Sequence, residues 1–479
     1  MDVMSIEFSN LTANPSLKTA RWTQRLVGPL IAASVIRLTL MALFIARNGT
    51  SALALADTNS FLEPGRNLLL HGRFVADGVP DLLRTPGYSI FLAMTSLAGL
   101  PAAAVANLTL SVLSVLLVWR LGRAVFDDDR IALGAAWIFA IEPISVLFSF
   151  VLLSETLFLA LLLLSLERLA MFLRGRRLRV LAAAGLWLAA ATFVRPVTYY
   201  MPVALALGLF LVLAHVPGLR WKAPAVLLIS VLPWLAAWQI RNWVETGYGE
   251  FSSVREINLY FFDAAEVTAG VEHRKFNDVR TELGYLQFTN DSGQDYLFQP
   301  YLALHPDQAG WSQGQRLAFM HTEAVRVIRA HEGLYLRSCL THLFMTVFEP
   351  GAAVFDVLLF PGDPRHVAGL IREEGLAHGA ILLAKTYPWV AAEKAAFAIV
   401  MLGLYLFAVR GVFLAARGVF RGGMQNACLW LLLGTSLYFL AVSGAAGGQG
   451  ASSRYRVPIM PLVCILAAAG TRRTTAIAH

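Results

Sequence analysis

"LSETLFLALLLLSLERLAMFLRGRRLR", residues 153–179, decides the fold. A long apolar block runs into four arginines packed within six positions, Arg174 to Arg179. The block matches the ~20 residues that carry a helix across a bilayer core. The arginines mark its cytoplasmic edge, because short loops rich in Lys and Arg stay inside. At the opposite mouth stand Ser154 and Glu155.

The same grammar repeats along the chain. Of 479 residues, 57% are hydrophobic and 15% charged, and mean hydropathy is +0.60. Soluble domains carry about 25% charged residues. The spans read from the apolar blocks are 26–46, 102–121, 131–149, 152–173, 180–194, 198–214, 224–240, 391–410, 426–443 and 456–470. The fold class is an all-α polytopic membrane protein with about ten transmembrane helices. Continuous Leu/Ala/Val/Phe blocks lack the alternation of a membrane β-barrel.

Basic residues order the topology. Lys18, Arg21 and Arg25, "WRLGR" (119–123), "RGRRLR" (174–179), "GLRWK" (218–222), Arg410, Arg417, Arg421 and "TRR" (471–473) all fall on one side of ten spans. That side is the cytoplasm, and both termini lie there. The net charge of +8 is therefore orientation, not a nucleic-acid surface. Cys339, Cys428 and Cys464 are scattered and show no metal-ligand or disulfide spacing. The first apolar run lacks a cleavage site and reads as a retained signal anchor.

This topology divides the chain into a cytoplasmic tail (1–25), a transmembrane module (26–240) with a long first outer loop (47–101), an outer block (241–390), and C-terminal spans with a short tail (391–479). The outer block is polar, and its pattern after 334 leaves room for one or two further spans. In the first loop, 59–72 reads as an amphipathic helix on the membrane surface. Residues 87–99 are too short to span and dip into the membrane or lie along it.

Ionisable residues at the edges of apolar segments are the candidates for function. Asp57 fits an N-cap for the helix after it. Glu142 precedes Pro143, which suits a helix start. Glu155 can be a first-turn acid behind a Ser154 cap, or a functional acid. Arg84, Arg195, Arg454 and Arg456 sit on the outer side, where arginine is disfavoured. Acids and arginines thus gather at one outer boundary. Arginines there suit a phosphate, and carboxylates suit a general base or a divalent metal. No phosphate-binding Gly-rich loop, H-E-x-x-H or C-x-x-C motif occurs.

The ordered set Asp57, "HGRF" (71–74), "RTPGYSIFLA" (84–93), "LSETLF" (153–158), "RP" (195–196) and "RYRVPIMP" (454–461) resembles the GT-C glycosyltransferases. Within them it resembles the branch of protein O-mannosyltransferases and aminoarabinose transferases, over residues 50–215 and again over 454–465. The resemblance implies a multi-pass enzyme of a bacterial inner membrane, its active site facing the periplasm or exterior. It implies transfer, with inversion, from a polyprenyl-phosphate-linked sugar to an extracytoplasmic acceptor. By position, Asp57 and Glu155 match the catalytic acids, with a divalent metal (Mg or Mn) at that pair. Arg84, Arg195, Arg454 and Tyr455 would bind the donor phosphate. Membrane lipid is a partner and nucleic acid is not. The chain departs from the aminoarabinose branch at Leu83, where that branch has an acid, and at Thr58, Asn59 and Ser60. The alternative class is a transporter or flippase of a lipid or lipid-linked sugar, which calls for a mid-membrane polar path and repeat symmetry.

Overall fold

The structure is a computed structural model. It describes residues 15–55, 57–285, 300–349, 376–417, 423–446 and 453–472. Parts of the expected N- and C-terminal tails, of the outer block and of the Gly/Ser-rich loop before Arg454 lie outside the described residues.

Among the described residues helix dominates, with one two-stranded ribbon, β1 (Val75–Ala76) antiparallel to β2 (Val79–Pro80). The helices in order are α1 Pro15–Asn48, α2 Thr58–His71, α3 Pro86–Thr95, α4 Leu100–Phe126, α5 Asp129–Ala140, α6 Pro143–Leu147, α7 Glu155–Gly175, α8 Leu178–Val194, α9 Met201–Val212 and α10 Leu219–Thr246. There follow α11 Val254–Asn258, a π-turn Leu259–Ala264, α12 Ala265–Glu272, α13 Phe276–Glu282, α14 Gln313–Ala330, α15 Glu332–Phe348, α16 Leu376–Thr386, α17 Pro388–Ala416, α18 Gly423–Ala446 and α19 Met460–Gly470.

Among the described residues, six helices are long and apolar enough to cross a membrane: Gln24–Asn48, Leu100–Phe126, Glu155–Gly175, Leu219–Thr246, Pro388–Ala416 and Asn426–Ala445. Three other expected spans are shorter apolar helices, Leu178–Val194, Pro196–Val212 and Met460–Gly470. The last is buried along its whole length. At 1.5 Å per residue it covers only about 16 Å. Protein rather than lipid surrounds it, so it does not need a full span.

The expected span 131–149 is corrected. Its helix ends at Ala140, because proline at 143 removes an N–H and pushes the residue before it out of helical geometry. Residues 148–154 then run irregularly through the interior. Their backbone groups are satisfied by neighbours: Leu152 N donates to Leu53 O at 3.0 Å, Thr58 Oγ1 to Leu152 O at 3.0 Å, and Asn107 Nδ2 to Val151 O at 2.9 Å. Non-helical backbone at this depth persists only where protein supplies such partners.

Two expected boundaries also move. α1 is already helical before residue 25, and α10 continues through 240 to Thr246. The expected surface helix at 59–72 is α2, and the short segment at 87–99 is α3 with a 3-10 turn after it. α2, α3 and α8 approach closely. A Cβ on Gly87 would sit 2.6 Å from the Phe193 carbonyl oxygen, so glycine is required by contact rather than by a turn. Gly65 meets the Ser89 carbonyl in the same way. This packing brings the end of the first outer loop against the end of α8.

One apolar core runs through the membrane helices. A second, smaller one joins Leu82 and Leu83 of the first loop to Tyr248, Tyr260, Phe261, Tyr285 and Tyr301. The helices after α10 therefore rest directly on the loop that carries Arg84.

Candidate active site

Asp57 directly precedes α2 but does not cap it with its side chain. Its carboxylate turns to two guanidiniums instead: Arg84 Nη2 donates to Oδ1 at 3.0 Å, and Arg454 Nη1 donates to Oδ2 at 2.8 Å. Ser154 likewise makes no capping bond to α7, and Glu155 behind it is buried, 2% exposed. Its Oε1 accepts from both Arg454 Nε and Arg195 Nη1.

These contacts form one continuous line, Arg84–Asp57–Arg454–Glu155–Arg195. The loop between β2 and α3, the lead-in to α2, the 3-10 turn Ser453–Arg456, the start of α7 and the end of α8 each supply one member. Arg84 is further held by Ser60, whose Oγ accepts from its Nε at 2.9 Å and donates to the Asp57 carbonyl at 2.7 Å. The Arg84 guanidinium also stacks over Phe61 at 4.2 Å, a cation–π contact. Arg195 follows the last turn of α8 in extended backbone, ahead of Pro196.

Burial alone would raise the Asp57 carboxyl, but the Arg84 and Arg454 guanidiniums more than reverse it and hold it well below the ordinary carboxylate range. The Arg454 guanidinium is correspondingly pushed up: burial opposes its charge, and Glu155 and Asp57 overcome that cost. Asp81 goes the other way. It is fully buried, and desolvation lifts its carboxyl to about 7 although the Arg84 backbone N–H donates to its Oδ1 at 2.8 Å.

The remaining sequence candidates separate cleanly. Glu142 is a true helix cap, accepting from Ile144 N at 3.0 Å and Ser145 N at 2.7 Å. Arg456 donates to the Thr346, Val347 and Glu349 carbonyls and so closes the C-terminus of α15. Tyr455 is half-buried in the turn between Arg454 and Arg456.

Asp57 and Glu155, the pair expected to hold a metal, are joined by the Arg454 guanidinium. Among the described residues no three His, Cys, Asp or Glu side chains gather to hold an ion. As arranged, the residues do not fit a divalent cation, because a guanidinium occupies the place between the carboxylates.

Sequence reading missed Ser60 and Asp81. In the sequence Ser60 stands out only as a departure from a family pattern. A buried acid three residues before Arg84 carries no signal in a polar loop.

Residues 87–238 match the family model described as "Dolichyl-phosphate-mannose-protein mannosyltransferase". The matched segment includes Glu155 and Arg195. The match bears out the resemblance to the GT-C glycosyltransferases. An oligosaccharyltransferase of Archaeoglobus fulgidus in the apo form is similar in structure, with TM-score 0.46 and 14% identity over 92% of this chain and 50% of that one. The oligosaccharyltransferase AglB of the same organism, in complex with an inhibitory peptide and a dolichol-phosphate, gives TM-score 0.44 and 15% identity over 93% and 50%. The chain spans about half the length of these solved proteins. No curated protein matches it.

Proposed function

We propose that the chain is an integral membrane glycosyltransferase that moves a sugar from a polyprenyl-phosphate donor to an extracytoplasmic acceptor, whether lipid, glycan or protein. The observation that carries this reading is the line Arg84–Asp57–Arg454–Glu155–Arg195. It sets three positive charges against two negative ones. A sugar phosphodiester brings one negative charge and closes the balance. The family model points the same way, since its description names a dolichyl-phosphate-linked mannose.

In the reaction the acceptor hydroxyl oxygen bonds to the anomeric carbon from the face opposite the phosphate, which inverts that centre. The bond from carbon to phosphate oxygen breaks, and its electron pair leaves with the polyprenyl phosphate. The hydroxyl proton passes to the Asp57 carboxylate. Arg84 and Arg454 meet the charge that grows on the leaving phosphate, with Arg195 beside them and Tyr455 at the flank. Glu155 orients Arg454 and Arg195.

With both guanidiniums upon it, Asp57 is a weak base. A donor phosphate that draws Arg84 and Arg454 to itself restores the basicity of Asp57. Donor binding then precedes acceptor activation. In this reading the site faces the outer side of a bacterial inner membrane with both termini in the cytoplasm, an orientation that the positive-inside pattern of the loops supports. Residues 241–390 select the acceptor.

The test is transfer from a radiolabelled polyprenyl-phosphate sugar to acceptor by the purified protein, with and without EDTA. The expected result is label in acceptor and its loss in Asp57→Asn. Near-normal turnover by Asp57→Asn overturns the assignment, and lipid movement without transfer favours the transporter class.

A further inference from the structure

The chain segments that carry the two arginines at the ends of the charge line are each contacted by one of two adjacent residues, Ser252 and Phe251. Ser252 Oγ donates to the Leu83 carbonyl at 2.9 Å, one residue before Arg84. The neighbouring carbonyls are gripped from the same segment and from α10: Ser253 N donates to Leu82 O at 2.8 Å, and Arg241 Nη1 to Asp81 O at 3.2 Å. An irregular loop has no ladder of its own, so these bonds fix where it stands.

Phe251 does the same at the other end. Its ring packs on Phe193 at 5.3 Å and on Tyr199 at 5.5 Å, two residues before Arg195 and three after Pro196. Phe251 is buried, and its carbonyl and that of Glu250 accept from the fully buried Asn242 Nδ2 at 3.2 and 2.9 Å. Tyr248 adds a bond from its hydroxyl to the Ser252 carbonyl at 3.1 Å. The segment is thus rigidly seated at the end of α10.

We infer that Phe251 and Ser252 are positioning residues that set the separation of Arg84 from Arg195, and through it the fit of the donor phosphate. Neither needs to touch the donor. The inference rests on the reading of these arginines as phosphate ligands. It also ties that clamp to the base of the outer helices, whose apolar cluster includes Leu82 and Leu83.

The experiment measures binding of a polyprenyl phosphate and of the polyprenol of equal length to the full chain in nanodiscs. Wild type is expected to prefer the phosphate. Ser252→Ala should weaken phosphate binding about fivefold, the worth of one lost hydrogen bond, and leave polyprenol binding unchanged. Ser252→Thr, which keeps the hydroxyl, should restore it, and Phe251→Leu should repeat the selective loss. A merely structural role would weaken both lipids alike. Thermal unfolding follows each variant, and if Ser252→Ala does not fold, Phe251→Leu carries the comparison. Wild-type-like phosphate binding in the folded variants overturns the inference and leaves the donor reading intact. Equal binding of phosphate and polyprenol by wild type removes the donor reading, and the inference with it.

Discussion

Arg454 Nη1 donates to Asp57 Oδ2 at 2.8 Å across a sequence separation of 397 residues. The same guanidinium donates through Nε to Glu155. One side chain therefore bridges two acids that burial would otherwise penalise.

Arg454→Ala should leave Glu155 buried with one cationic partner where it had two. Removing one member of a buried ion pair costs about 3 kcal/mol. A fall in unfolding temperature together with loss of transfer is expected. Arg454→Lys should recover little activity, because a compact ammonium lacks the planar fork whose Nε and Nη1 reach the two carboxylates at once. Thermal unfolding in detergent and single-turnover transfer measure the two effects.

Asp57→Asn should fold and bind donor, and its transfer rate should drop by about 10²–10⁴, the usual worth of a general base. Single-turnover rates at saturating donor read this directly. Unchanged rates would move the proton acceptor elsewhere.

Glu142→Ala serves as the contrast to Asp57. Loss of its two capping bonds at Pro143 should cost about 1 kcal/mol of stability. Transfer per folded molecule should stay at the wild-type level. Activity normalised to the folded fraction distinguishes cap from catalyst.

Gly87→Ala drives a methyl against the Phe193 carbonyl at 2.6 Å. Overpacking of this kind costs about 1–3 kcal/mol. Because α3 and α8 would part three residues after Arg84 and two before Arg195, the apparent affinity for donor should weaken along with stability. Donor titration and thermal unfolding test both.

Two acids make opposite pH demands. Asp81 has a carboxyl raised to about 7 by burial, with Arg84 and Arg241 facing it. Its folded state binds a proton more tightly than its unfolded state, whose carboxyl titrates at about 3.9. Its contribution to stability is full below pH about 3.9 and is lost as pH rises to about 7. Asp57 is held low by Arg84 and Arg454, so its contribution is present above pH about 3.9 and is lost as pH falls below it. Asp81→Asn should therefore remove the decline in stability between pH about 4 and 7 while leaving acid unfolding in place. Unfolding temperature against pH for wild type and Asp81→Asn checks the sign.

Much of the site was legible because each member violates a local expectation. By the charge pattern of the sequence, Arg84, Arg195 and Arg454 read onto the side where arginine is disfavoured, and Asp57 and Glu155 stand at the edges of apolar runs. Three acids at helix starts, Asp57, Glu142 and Glu155, nevertheless looked alike. A cap is defined by a bond to a backbone N–H two or three residues on, and only Glu142 makes it. The break at Ala140 was hidden because an apolar stretch reads the same whether it spans lipid or fills the protein interior.

The helical membrane class and most of the candidate spans follow from sequence alone. They depend on the transfer cost of each residue, which is local and additive along a segment. The pairing of Asp57 with Arg454, the seating of Arg84 by Ser60 and Ser252, and the crossing of Arg454 between two carboxylates do not follow from it. Ion pairs and hydrogen bonds act over a few ångströms, and the partners here lie up to 397 residues apart. Only helix packing, closed down at Gly65 and Gly87, brings them within that range.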